Sequence, residues 1–275
     1  MNIVGNIALE IKKELKKYLG HIFISLTSRG NSAIEAALSL LPRESTIIIP
    51  EEGGWLSYKS APQKLGLNVE EVCCDKARIS LEDLRQKFSK KQYSALLYQN
   101  PGGYHAKQPM KEIYEWCCKH QCIVILDGSG SIGTERCDGR FADIIVGSFG
   151  RWKPVDAGKG GFISCKDEKL FEKLRIKEFT DEETLKIICA KLQQLPKRLE
   201  FLQEKRQKIM KDLDHFKIIN EKEEGLVILV SFTTDNEKEK IIDFCQKNKL
   251  EWTECPRYIR LNEKAISIEV KRSSS

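Results

Sequence analysis

The first half of the chain repeats one pattern: a short apolar run, a turn of small or polar residues, then a stretch with helical periodicity. I-F-I-S-L leads into T-S-R-G-N-S-A-I-E-A-A-L-S-L-L, and S-T-I-I-I-P-E-E-G-G-W opens a unit that reads strand, loop, helix, strand. Y-S-A-L-L-Y-Q-N-P-G-G-Y precedes the helical P-M-K-E-I-Y-E-W-C-C-K-H-Q, while C-I-V-I-L-D and D-I-I-V-G-S are apolar runs that end on polar residues. Parallel strands need crossover connections, and the helices that make them cover the faces of the sheet. The alternation therefore predicts an α/β fold with a mostly parallel central sheet flanked by helices. In such sheets a ligand lies beyond the carboxyl ends of the strands. Gly30, Asn31 and Ser32, the Trp55 loop, Asn100, Asp127, and Ser148 to Lys153 all fall at such ends.

Each of these positions has a chemistry and a plainer alternative. A lysine in an apolar or cationic setting loses its proton and forms Schiff bases with carbonyl compounds; Phe149 and Trp152 beside Lys153 could supply that setting, although a lysine in a Gly-rich loop is more often a solvated charge. The turn before Asn31 offers free amides at a helix N-terminus, where an anion is favoured, or else Asn31 or Ser32 simply caps the first turn. Trp55, after Gly53 and Gly54, either stacks on a planar ligand or packs on the next helix. A buried Asp127 needs a cation or donors to stay ionised, and a protonated ring nitrogen would serve.

Composition narrows the class. Of 275 residues, 41% are apolar and 31% charged, with a net charge of +6 spread through mixed Lys/Glu clusters, which argues only weakly for nucleic acid and suits a small anionic ligand equally well; no nucleic-acid partner is expected. No apolar run reaches the length of a membrane span, and the expected location is cytoplasmic. The 10 cysteines are scattered without a C-x-x-C pair, so they read as reduced core thiols and no metal site is expected. No P-loop occurs at a strand-to-helix turn.

T-S-R-G-N-S-A-I-E-A-A-L, I-P-E-E-G-G-W, I-L-D-G-S-G-S-I-G and S-F-G-R-W-K-P-V-D-A-G-K-G-G together resemble the DegT/DnrJ/EryC1/StrS aminotransferases, a family of fold-type-I pyridoxal-phosphate enzymes. The resemblance implies pyridoxal 5′-phosphate as cofactor, an amino acid donor, a carbonyl acceptor such as a keto-sugar, and a homodimer. It implies Lys153 as the internal aldimine and Asp127 as partner of the pyridine nitrogen. Gly30, Asn31, Ser32 and Ser148 would hold the phosphate, and Trp55 would stack on the ring. Two departures stand out: Gly130 replaces a common Gln, leaving Asn100 or Ser129 as donor to the phenolic oxygen, and Asn31 replaces a common Thr. Two other readings stay open, a lyase or cysteine desulfurase using one of the cysteines, and a scaffold without catalysis.

The expected domains are 1–175, binding the cofactor, and 176–275, a linking helix with a small α+β unit that is an alternative packing partner for the first helix. Pro196 is expected to divide the charged segment from about Asp167 to Phe216. The remaining strands and helix follow, ending in Y-I-R-L-N and A-I-S-I-E-V. Arg260 either holds a substrate carboxylate bidentately or is an exposed sheet arginine.

Overall fold

The computed structural model describes residues 3–274. Helix α1 (Ile3–Leu19) buries Ile11, Leu15 and Leu19 along one stripe. The chain continues through β1 (Phe23–Thr27), α2 (Gly30–Leu38), β2 (Thr46–Pro50), α3 (Ser57–Lys64) and β3 (Asn68–Val72). A short hairpin of β4 (Cys74–Asp75) and β5 (Arg78–Ile79) leads to α4 (Leu81–Lys90), β6 (Ala95–Gln99), α5 (Met110–Lys119), β7 (Ile123–Asp127), β8 (Ile144–Ser148) and β9 (Gly161–Cys165). Seven strands form one sheet in the order β1-β9-β8-β7-β6-β2-β3. Only β9 runs antiparallel to its neighbours; the other pairs are parallel.

Period-two alternation assigns the side chains to two faces. Leu96, Tyr98, Val124, Leu126, Ile145 and Phe162 join the cluster under α1, α4 and α5. Ala95, Leu97, Ile125, Ile144, Val146 and Ile163 join the one under α2 and α3. Both faces are covered, so the strands read as unbroken apolar runs.

The segment after β9 divides into α6 (Glu168–Glu172), α7 (Glu182–Gln193) and α8 (Leu195–Lys211), with Pro196 in the first turn of α8, where a missing N–H costs nothing. Helix α7 lies against α1, and its Leu185, Ile188 and Leu192 belong to the core of the large sheet. The large unit therefore extends past the expected boundary at 175, because the apolar stripe of α7 is buried on α1. Beyond α8 come β10 (Ile218–Ile219), β11 (Ile228–Ser231), α9 (Asp235–Lys247), β12 (Trp252–Arg257) and β13 (Leu261–Ile268). They form an antiparallel sheet in the order β10-β11-β13-β12 around a second core. The two final predicted strands are one, β13, and Arg260 sits in the turn before it.

Among the described residues no helix is long and apolar enough to cross a membrane, and no group of His, Cys, Asp and Glu is placed to hold a metal ion. All ten cysteines are free and seven are buried; burial pushes the Cys137 thiol up to about 12, so it is inert at neutral pH.

Candidate active site

Asp127 closes β7 and lies in register with Gln99 at the end of β6. Its carboxylate is buried and accepts two hydrogen bonds, from the Tyr58 hydroxyl to Oδ2 at 2.7 Å and from the Ser129 amide to Oδ1 at 2.9 Å. Burial, then the charge of Asp127, raises the Tyr58 phenol well above its ordinary pKa, so Tyr58 stays a donor. The Ser129 hydroxyl accepts from the Ser148 amide at 2.9 Å, tying the end of β8 to the loop after β7. Ser148 Oγ in turn accepts from the Gly150 amide at 3.1 Å.

Opposite Ser148, α2 begins at Gly30 with no side chain capping it; Arg29 occupies the N-cap without a side-chain hydrogen bond. Neither Asn31 nor Ser32 caps the turn. Asn31 Oδ1 accepts from Trp55 Nε1 at 3.0 Å, and Ser32 Oγ pairs with Ser28 Oγ at 3.1 Å. The first amides of a helix have no acceptor of their own, so this terminus is left for an anion. A Cβ on Gly30 would stand 2.7 Å from Ser148 Cβ, and the close approach of turn and strand end requires glycine.

Lys153 lies in the loop between β8 and β9. Its amine meets the Tyr104 hydroxyl and lies 5.4 Å from the Trp55 ring centroid and 4.8 Å from that of Tyr104. The expected neighbours play other parts: Phe149 is buried against Phe162 in the core, and Trp152 is exposed with the Arg272 guanidinium 4.2 Å above its ring. Tyr104 also explains Gly130, because a Cβ there would stand 2.7 Å from the Tyr104 ring. The aromatic ring fills the room that a side chain at 130 would take.

The far wall comes from the C-terminal unit: Arg257, Ile259, Arg260, Lys271 and Arg272. Arg260 is no exposed sheet arginine. It is 4% exposed and forks onto Glu269, Nε to Oε1 at 3.2 Å and Nη2 to Oε2 at 2.9 Å, with Nη1 on the Ile259 carbonyl at 2.9 Å. Glu269 also takes the Lys271 amine and the Ser267 hydroxyl. Burial would raise its carboxyl, yet Arg260 and Lys271 hold it well below the usual range. Burial first, and Arg260 next, push the Lys271 amine down to about 7 against the pull of Glu269. The Tyr104 ring lies between these cations, 4.7 Å from the Arg260 guanidinium and 5.1 Å from the Lys271 amine.

Together these groups enclose a cavity of about 310 Å³. Gly30, Asn31, Trp55, Asp127, Ser129, Ser148, Lys153 and Arg260 line it; Ser32 and Asn100 do not. The Asn100 side chain is spent elsewhere, on Met110 Sδ at 2.7 Å, the Arg136 carbonyl at 3.0 Å and the Gln108 amide at 3.0 Å, so it holds its loop and offers no donor to the cavity. Sequence reasoning passed over Gln99, which lines the cavity with its Oε1 buried and without a partner, and it passed over Tyr104 and Lys271.

Pyridoxal phosphate fits this set of groups. The uncapped helix start beside Ser148 suits its phosphate, the buried Asp127 carboxylate suits a protonated ring nitrogen, and the unpartnered Gln99 amide marks a polar contact still to be made. The family model of the DegT/DnrJ/EryC1/StrS aminotransferase family matches residues 1–183. No curated protein matches the chain in sequence. Among solved structures, ureidoglycine-glyoxylate aminotransferase of Bacillus subtilis is similar at 14% identity and a TM-score of 0.73, over 96% of this chain and 79% of that one. Apo cysteine desulfurase of Thermococcus onnurineus is similar at 14% identity and 0.74, over 98% and 81%. GDP-4-keto-6-deoxymannose-3-dehydratase with bound GDP-perosamine is similar at 17% identity and 0.73, over 90% and 78%. At these identities the likeness is one of fold, the fold of type-I pyridoxal-phosphate enzymes.

Proposed function

The chain belongs to the DegT/DnrJ/EryC1/StrS aminotransferase family and is a pyridoxal-phosphate-dependent enzyme, and from that premise we propose that it moves an amino group from an amino acid donor to a carbonyl acceptor. The observation that carries this reading is the joint lining of one cavity by Lys153, Asp127 and the uncapped α2 terminus. The bound cofactor supplies an electron sink for the bond that breaks at the donor α-carbon.

In this reading Lys153 would hold the cofactor at its aldehyde carbon, and its amine would carry the proton that leaves the donor α-carbon. Tyr104 holds the freed amine through its hydroxyl. Asp127 keeps the ring nitrogen protonated, since Tyr58 and Ser129 take only part of its accepting capacity. Gly30, Asn31 and Ser148 hold the phosphate, and Trp55, fixed by Asn31, covers the ring. Arg260 has five N–H donors, of which Glu269 and the Ile259 carbonyl use three, leaving two for a substrate carboxylate. A keto-sugar is the acceptor to test first, because the similar dehydratase was solved with GDP-perosamine. We place the enzyme in the cytoplasm as a homodimer, to be checked by light scattering.

A desulfurase mechanism needs a cysteine at the substrate, and no cysteine lines the cavity. The test incubates the cofactor-loaded protein with each amino acid in turn and measures 2-oxo acid and sulfide. Formation of 2-oxo acid without sulfide supports transamination; sulfide from cysteine replaces it with desulfuration, and no product from any donor refutes it.

A further inference from the structure

A second, smaller cavity of about 90 Å³ lies between α8, the loop after β7 and the segment that leads into β11. Two arginines line it, Arg206 from α8 and Arg136, and each is 7% exposed. Their charges are poorly matched. Among the described residues the one acceptor for Arg206 is the Glu221 carbonyl, 3.5 Å from Nη2, and its Nε has none. Arg136 reaches Glu224 Oε2 from Nη2 at 2.8 Å, and its Nε likewise has none. Glu224 is itself 60% exposed and also takes the Gln203 amide at 3.4 Å, so much of its charge is spent on solvent.

Taking guanidinium groups out of water is costly unless acceptors replace the water, and the arginine fork is shaped for oxyanions. Burial lowers the Arg206 pKa, Glu224 opposes that, and Arg136 lowers it further. Two adjacent buried forks with most donors unused, around a space of phosphate size, make a receptor for an anion. Leu199, Leu202 and Leu226 on the same walls would accept a short apolar tail.

We propose that this cavity is a binding site for a small oxyanion, a phosphate or a short-chain carboxylate, held by Arg206 and Arg136. The site abuts the catalytic cavity through Tyr104: Gly130 faces its ring, and the Leu226 amide donates to its carbonyl at 2.8 Å. An occupant touching Gly130 and Leu226 would brace the residue that meets the Lys153 amine.

The test is calorimetric titration of the full-length, cofactor-loaded protein with inorganic phosphate and, separately, with propionate, in wild type, Arg206→Gln and Gln203→Glu. Gln203 is exposed on the rim, so its carboxylate variant keeps the fold while placing a negative charge beside Arg206. Saturable binding of one or both anions to wild type is expected, weakened at least about tenfold in each variant. The anion that binds more tightly identifies the class of occupant. Absence of saturable binding of either anion to wild type, or unchanged affinity in Gln203→Glu, would overturn the proposal. If Arg206→Gln fails to fold, Gln203→Glu alone decides.

Discussion

The two walls of the catalytic cavity handle charge in different ways. On the wall built from strand ends, the polar groups keep capacity to spare: Asp127 takes only Tyr58 and Ser129, the α2 terminus is uncapped, and the Gln99 amide oxygen is unpaired. On the wall from the C-terminal unit, Glu269 is shared among Arg260, Lys271, Arg272, Ser267 and Thr253. The first wall is preorganised for a ligand that supplies the missing partners. The second satisfies most of its needs internally and presents the remaining positive charge, so it holds its shape without a ligand.

The comparison can be broken at several points, with effects of decreasing size. Lys153→Ala should lower amino transfer by at least about 10³-fold, since it removes both nucleophile and proton carrier, with the melting temperature nearly unchanged. Glu269→Gln should instead cost stability, about 3–5 kcal/mol in chemical denaturation, because Arg260 and Lys271 would be left buried without a counter-charge. Equal effects of the two substitutions on folding would erase the distinction between the walls. Gly30→Ala should cost about 1–3 kcal/mol through the clash with Ser148 and weaken cofactor binding, read by equilibrium dialysis.

A pH prediction follows from Lys271. Its folded-state pKa of about 7 lies below the ordinary 10.5, so between these values the unfolded chain binds a proton that the folded one does not. Stability from this group therefore rises with pH through that window, by up to about 1.4 kcal/mol per pH unit. Lys271→Met should flatten that slope in urea titrations from pH 7 to 10; an unchanged slope would mean that the amine keeps its ordinary affinity for protons. The smallest effect is expected for Tyr104→Phe, a fall of roughly tenfold in kcat with KM little changed, since only the hydroxyl that meets Lys153 is lost.

The strand-end wall was legible because the sheet's alternation puts turn residues at one edge, and Gly30, Asp127, Ser148 and Lys153 stand in those turns. Gln99 escaped because it ends an apolar run and resembles one more strand residue. Tyr104 read as part of a turn, and only its contact with Gly130 shows that the glycine and the tyrosine are one feature. Asn100 sits at a strand end as expected, yet its side chain turns to Met110 and Arg136. The C-terminal wall was illegible because Arg260, Glu269 and Lys271 meet only through the geometry of the β12–β13 hairpin and the turn after it. The α7 stripe showed that the helix is amphipathic but not which core receives it.

Two lysines line the cavity, Lys153 and Lys271, and burial depresses the basicity of Lys271. The most direct test of the central claim is borohydride reduction of the cofactor-loaded protein followed by peptide mapping. A reduced cofactor attached to Lys153, and absent from Lys153→Ala, is the expected result. A label on Lys271 or Lys159, or none at all, would contradict it.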